Sequence, residues 1–383
     1  MALHFERTEF DARRDRLMIE MADRKLDALL LFAQESMYWL TGYDTFGFCF
    51  FQCLVVKADG SMVLLTRSAD LRQARHTSII DNIVLWTDRE GANPAIDLRN
   101  LRNDLDLLGM NIGVEYDTHG LTAFNGRRLD EQLQTFAKIS DASGIVDRLR
   151  LFKSPAEIAK VEQAGALADD ALDAALPLIK PGADEGAILA AMQGAVFLGG
   201  GDYPANEFII GSGPDALLCR YKAGRRKLGK NDQLTLEWAG VYHHYHAAMM
   251  RTVLTGRATK RHQELFEAAR DALLAVEKTM VPGNTFGDVF DAHARAMEAH
   301  GLTKHRLNAC GYSLGARFAP SWMDRPMFYQ GNPEPIAPNM TLFAHMIIAD
   351  SETETAMTLG RTYLTTDAEP RPLSRHGLDL IVQ

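Results

Sequence analysis

The chain has 383 residues, 46% of them hydrophobic and 24% charged, and a formal net charge of −9. That length exceeds what one hydrophobic core usually serves and suits two domains. The acidic balance argues against nucleic acid, whose phosphates need clustered Lys and Arg, and the basic stretch Lys222 to Lys230 is short enough to be a solvated loop.

The amino-terminal stretch MALHFERTEFDARRDRLMIEM is charged and amphipathic, unlike an export signal, and the longest apolar run, Phe46 to Val56, is eleven residues, too short to cross a bilayer as a helix. Cys49, Cys53, Cys219 and Cys310 lack zinc-site spacing, and their apolar neighbours suit buried thiols in a reducing compartment. A cytoplasmic protein is expected.

Phe10, Leu17, Met18 and Met21 recur at helical spacing over Glu9 to Arg24, and Asp27 to Phe32 is a short apolar strand. After Ser36 to Tyr43, two strand-like runs, Phe50 to Lys57 and Met62 to Thr66, flank a turn at Ala58-Asp59-Gly60-Ser61. Ile83 to Trp86 and Ile112 to Tyr116 add strands, with a helical pattern over Leu98 to Leu108 between them. Residues 1–150 therefore read as an α/β domain. From Ser154 the texture changes: Ser154-Pro155-Ala156-Glu157 has the form of a capped helix start, and Ile158 to Leu176 continues as an alanine-rich helix, so residues 151–383 form a second domain.

The second domain contains a repeat. Ile179 to Gly200 aligns with Met280 to Gly301, placing Pro181-Gly182 and Gly186 on Pro282-Gly283 and Gly287. Further on, Leu234-Thr235-Leu236-Glu237 and Met340-Thr341-Leu342-Phe343 echo each other. Two helix-helix-strand-strand halves should pack as a pseudo-symmetric pair. Within the first half, Gln233 to Val253 puts a carboxylate, three histidines, two tyrosines and an arginine into an apolar run. Glu237 lies on the Thr235 face of a strand, Ala239-Gly240 allows a reversal, and the returning strand carries Ala248, Met250 and Thr252 on one face and Met249, Arg251 and Val253 on the other.

Arg150-Leu151-Phe152-Lys153-Ser154-Pro155-Ala156-Glu157, Lys180-Pro181-Gly182 with its second copy, Ile209 to Gly213, and the hairpin ending Met250-Arg251-Thr252 together resemble the creatinase, prolidase and methionine aminopeptidase group, the peptidase M24-like family. The resemblance implies a creatinase-like α/β N-terminal domain followed by a pseudo-symmetric α+β domain with the pita-bread fold. It also implies a metal site in the metal-dependent members: two aspartates, a histidine and two glutamates. Carried across, those positions become Glu237, Ala248, Tyr312, His345 and Gly360 or its neighbour Leu359. One acid remains, and two hard cations need several carboxylate oxygens, so no metal and no other cofactor is expected. Trp39 to Asp44, Gly200 to Ala205, Ala239 to Tyr242 and Cys310-Gly311-Tyr312 look closer to ectoine hydrolase, which with creatinase cleaves carbon-nitrogen bonds without metals; where those enzymes carry a histidine before the hairpin, this chain has Arg220.

The candidate catalytic residues are Glu237, His345, His246 and Tyr312. Glu237, between Leu236 and Trp238, suits acid-base or nucleophilic work, or else a buried ion pair with Arg251. The repeat brings His345 towards Glu237 as a proton donor, the alternative being a core histidine. His246 shares the parity of Ala248, whereas His243 and His244 are turn residues in solvent; a single ion at Glu237, His246 and His345 is also conceivable. Tyr312 is a phenolic donor or a core aromatic. Arg220 offers a fork for a substrate carboxylate or a salt bridge to Glu237, and Arg251 is a further candidate for binding substrate in the pocket. Asp202 and Tyr203, after Gly199-Gly200-Gly201, line the cleft or connect the halves. The resemblance places the loop of Tyr43, Asp44, Phe46 and Phe48 over the pocket of the other subunit of a homodimer; the plainer reading is a loop leading into a strand. The expected function is a metal-independent hydrolase of a C–N bond in a small carboxylated substrate. The alternatives are a catalytically silent binding or interaction protein, an Xaa-Pro dipeptidase-like metallopeptidase, and a lyase-type elimination.

Overall fold

A computed structural model describes residues 3–220 and 225–383. Part of the basic stretch read above, residues 222–224, lies outside them. Contacts divide the chain into one compact unit ending at Arg150 and a second, Leu151–Gln383.

The first unit is built on a six-stranded sheet in the order β4-β3-β2-β1-β5-β6. Its strands are β1 (Ala28–Leu31), β2 (Cys53–Lys57), β3 (Met62–Arg67), β4 (Asn82–Trp86), β5 (Asn111–Val114) and β6 (Lys138–Asp141). Helices α1 (Arg7–Asp23), α2 (Gln34–Thr41), α3 (Leu71–Thr77), α4 (Pro94–Asn100) and α5 (Ala123–Leu133) belong to this unit, and α6 (Ile145–Leu151) leads out of it. Two sequence expectations shift here. The run expected from Phe50 pairs only from Cys53, because Gly47–Cys49 forms a 3-10 turn that leaves Phe50 exposed. The helix expected over Leu98 to Leu108 starts at Pro94, whose lack of an N–H is harmless at a first turn capped by the Asn93 side chain, and ends at Asn100.

Among the described residues the second unit has four α-helices, α7 (Pro155–Ala175), α8 (Glu185–Leu198), α9 (Lys260–Thr279) and α10 (Phe286–Ala299). They pack on a sheet ordered β11-β10-β12-β13-β9-β8-β7, comprising β7 (Ile209–Ser212), β8 (Asp232–Tyr242), β9 (Tyr245–Thr255), β10 (Ala309–Ser313), β11 (Asp324–Tyr329), β12 (Thr341–Asp350) and β13 (Thr355–Leu364). Two short strands extend it: β14 (Arg371–Pro372) pairs with β13, and β15 (Ile381–Val382) pairs with β9. The repeat is visible in its capping chemistry. Gly182 and Gly283 both take positive φ, at 82° and 99°, after which Asp184 caps α8 and Thr285 caps α10. One core joins α7 and α8 to β8 and β9, and the other joins α9 and α10 to β12 and β13.

The β8–β9 hairpin turns at His243-His244, not at Ala239-Gly240. Both histidines have positive φ, 49° and 64°, as a two-residue hairpin turn requires. Gly240 stays within β8 for a different reason: a Cβ there would lie 1.9 Å from the Ala164 carbonyl oxygen of α7, so glycine is what lets helix and hairpin touch. Among the described residues no helix is long and apolar enough to cross a membrane.

Candidate active site

Paired residues of an antiparallel sheet share a face, so register decides what meets what. Glu237 pairs with Met250, Met250 with Gly360, and Gly360 with His345, which sets Glu237 and His345 in one row on the same face. Tyr312, opposite Phe343, joins that face from β10. A cavity of about 130 Å³ is lined by Glu237, His345, Tyr312, Arg220, Trp322 and Asn206, with Met323, Met327 and Ile347 as apolar wall. Of the four candidate catalytic residues, Glu237, His345 and Tyr312 line it.

Glu237 is 8% exposed. Burial pushes its carboxyl up to about 7, against the nearby charge of Arg220 and a hydrogen bond from Tyr312, both of which favour the ionised form. The Tyr312 hydroxyl donates to Glu237 Oε1 at 3.4 Å and accepts from the Trp322 indole at 2.9 Å. An indole N–H only donates, so the Tyr312 oxygen must accept from Trp322 and its own proton is left for Glu237. Burial, reinforced by the Glu237 charge, raises the phenol well above its ordinary value. His345, buried against the rings of Tyr312 and Phe343, has no hydrogen-bond partner for Nδ1. Burial lowers it to about 4, with Arg220 adding to the effect, so it is a neutral imidazole near pH 7.

Other candidates are placed differently. His246 shares the face of Glu237 but does not line the cavity: its Nε2 accepts the Ala205 N–H at 3.0 Å, and burial lowers its pKa to about 3. An imidazole that is neutral and engaged at Nε2 is poorly suited to the proton-donor role read for it. Arg251 pairs opposite Leu236, so it projects to the other face from Glu237, where it donates to the carbonyls of Met250, Gly360 and Gly377; the ion pair with Glu237 does not form. Arg220 is exposed at the cavity mouth and makes no salt bridge to Glu237. Asp202 accepts the His244 N–H and so ties down the hairpin turn, while Tyr203 is 81% exposed and packs on Phe197. His243 and His244 are half-buried rather than solvated, stacking on Tyr242 and Phe318. In the first unit Tyr43 is fully buried and donates to Gln52, which does not suit presentation to another subunit; Asp44 is half-buried, and Phe46 is exposed.

The sequence reading missed Trp322 and Asn206. The Asn206 side chain accepts the Trp322 N–H at 3.0 Å and so fixes the segment that carries the indole. The available signal was a tryptophan in the loop phrase Ala319-Pro320-Ser321-Trp322, a residue type and setting suited to a cavity wall.

The family's two-ion centre does not fit this donor set. At the positions concerned only Glu237 is a carboxylate, and Ala248 offers no ligand atom. A Cβ on Gly360 would meet the Ala344 carbonyl oxygen at 2.9 Å and His345 Cα at 3.1 Å, so a side chain there is crowded out; Leu359 pairs with Arg251 and faces away from Glu237. Among the described residues, the His/Cys/Asp/Glu cluster with ligand atoms close enough for one ion is His305, Asp350 and Glu352, and Glu237, His246 and His345 are not brought together in this way.

A two-layered, pseudo-symmetric domain with its site on the sheet face between two hairpins defines a pita-bread protein. The profile of metallopeptidase family M24 matches residues 159–367, and that of the creatinase/prolidase N-terminal domain matches residues 13–152. The chain belongs to the M24 family, a family of hydrolases, and carries the creatinase/prolidase N-terminal domain. Ectoine hydrolase of Halomonas elongata is 30% identical over 370 residues, 89% of each chain. An uncharacterized hydrolase/peptidase of Sinorhizobium fredii is 27% identical over 395 residues, 99% of this chain and 97% of its own. Among solved structures, the Xaa-Pro dipeptidase from Bacillus anthracis superposes with a TM-score of 0.85 at 18% identity, covering 98% of this chain and 100% of its own. Dipeptidase PepE from Mycobacterium ulcerans gives 0.86 at 20%, covering 99% of both. At these identities the two structures establish the fold alone.

Proposed function

We propose that the protein is a metal-independent hydrolase that opens a carbon-nitrogen bond in a small carboxylated substrate. The observation carrying this reading is a single buried carboxylate, Glu237, receiving the Tyr312 hydroxyl in a cavity that His345, its Nδ1 without a hydrogen-bond partner, also lines. A carboxyl held near 7 suits both directions of proton transfer at neutral pH. Glu237 takes a proton from water as the water oxygen bonds to the carbon; the C–N bond then breaks and the same proton passes to the departing nitrogen. Protonation of Glu237 releases the Tyr312 hydroxyl, which with the neutral N–H of His345 stabilises the charge developing on the attacked group. Arg220 holds the substrate carboxylate. This assigns the proton transfer to Glu237, since neither His345 nor His246 is cationic near pH 7.

A screen of cyclic amidines, guanidino acids and N-acyl amino acids tests the reading. Turnover should rise as pH increases through about 7. Glu237→Gln should lower it on the order of a thousandfold. Two tightly held divalent ions per chain would instead support the metallopeptidase reading, which family membership favours. Absence of turnover with every candidate would favour a silent binding protein. The reading further places the protein in the cytoplasm, where its four free cysteines would stay reduced, and in a homodimer whose exposed Phe46 loops approach the neighbouring cavities. Sedimentation as a monomer at micromolar concentration would contradict the dimer.

A further inference from the structure

The cavity beside Glu237 adjoins a second and larger one. This vestibule has a volume of about 550 Å³ and shares Asn206, Ile209 and Arg220 with the inner cavity. Their common boundary, here called the neck, carries a guanidinium that, among the described residues, has no ion-pair partner. The two chambers differ in size. At about 130 Å³ the inner one approaches the roughly 150 Å³ of a cavity known to take benzene, so it admits a group no larger than one small ring. The vestibule is about four times as large (550 against 130 Å³), with Tyr203, Pro204, Ala205, Ala319 and Pro320 as apolar wall.

Resting on the hydrolase reading above, we propose that the substrate is an N-substituted α-amino acid that branches at the neck. Its small N-substituent enters the inner cavity, its carboxylate engages Arg220, and a bulky apolar side chain fills the vestibule. An α-carbon carries these three branches on one atom, which matches two chambers meeting at one cation. Selection is then asymmetric: strict for the acyl, carbamoyl or amidino group on nitrogen and generous for the side chain. For an N-acetyl substrate, water supplies the hydroxyl that completes acetate and the proton that completes the amino group, with no further reactant.

Calorimetric titration of the full-length Glu237→Gln protein, in which ligand survives, reads the three branches separately. N-acetyl-phenylalanine should bind at least tenfold more tightly than N-acetylglycine, and N-(2-naphthoyl)-phenylalanine should not bind. Adding Arg220→Met should weaken N-acetyl-phenylalanine binding at least tenfold. Adding Gln193→Trp, on the vestibule side of α8, should remove the preference for phenylalanine over glycine while leaving N-acetylglycine affinity unchanged. Equal affinities for the phenylalanine and glycine derivatives, or binding of the naphthoyl compound, would overturn the branching assignment. If wild type hydrolyses a cyclic amidine in a Glu237-dependent way but the series does not bind, this inference fails and the hydrolase reading stands. If the series binds as described and wild type turns none of it over, the hydrolase reading fails and the subsite stands.

Discussion

The hairpins β8–β9 and β12–β13 are two renderings of one design. Each lies under a pair of helices and presents one polar residue to a shared cavity, and each reaches it through the row Glu237, Met250, Gly360 and His345. Burial acts in opposite senses on the two ends of that row: it raises the Glu237 carboxyl to about 7 and lowers the His345 imidazole to about 4. Both groups are thereby driven towards neutrality. Symmetry of backbone thus delivers two positions in one row on the same sheet face, and the chemistry of the site comes from filling them with groups of opposite acid-base character.

Opposite shifts should give opposite pH dependences. The largest effect should come from acid. Unfolded histidines take up protons around pH 6.5, whereas His345 does so near 4 and His246 and His293, a buried residue of α10, near 3. The unfolded state therefore binds more protons across this interval, and stability should fall by several kcal/mol as pH drops from about 6.5 towards 4. Urea titrations at stepped pH measure this, and replacing His345 with Gln should flatten the upper part of the slope. Glu237 acts the other way. Between its unfolded value of 4.5 and about 7 the folded state holds the extra proton, so stability is lost as pH rises through that window. Glu237→Gln should stabilise the protein by about 3 kcal/mol above pH 7 and by little near pH 4. Failure of the gain to grow with pH would break the contrast between the two walls.

Two smaller effects sharpen it. Tyr312→Phe leaves the Trp322 indole without its acceptor and should cost about 1–3 kcal/mol in thermal or denaturant unfolding. Turnover should fall as well, since the donor to Glu237 is gone. Gly360→Ala pushes a methyl against the Ala344 carbonyl and His345, an overpacking worth roughly 1–3 kcal/mol. It should perturb the His345 imidazole resonances more than any signal from the β8–β9 turn.

Much of this was legible in the sequence for identifiable reasons. Capping motifs and the Pro-Gly pairs announce the repeat because helix ends have few chemical solutions, and strand parity places Ala248, Met250 and Thr252 on one face of the returning strand. Gly240 misled because a glycine in a strand signals either a turn or a close neighbour, and the neighbour, Ala164, lies 76 residues away in the chain. His246 misled because parity gives a face but not a partner: the Ala205 N–H that occupies its Nε2 comes from a separate loop. Trp322 and the vestibule depend on where the loops around Asn206 and Ala319 come to rest, for which the local sequence has no period.

The two halves of the sheet meet along a narrow join. Strands β9 and β13 pair at Arg251, Met250 and Met249 with Leu359, Gly360 and Arg361. The join is fastened on one face by Arg251, whose guanidinium clasps the Met250 and Gly360 carbonyls, and on the other by Thr252 and Thr358, whose hydroxyls meet at 3.1 Å. Glu237 and His345 stand one strand out on either side of this join, so the distance between them is fixed by side chains that never touch the cavity. Arg251, considered at first as an occupant of the pocket, is better understood as the rivet that sets its width.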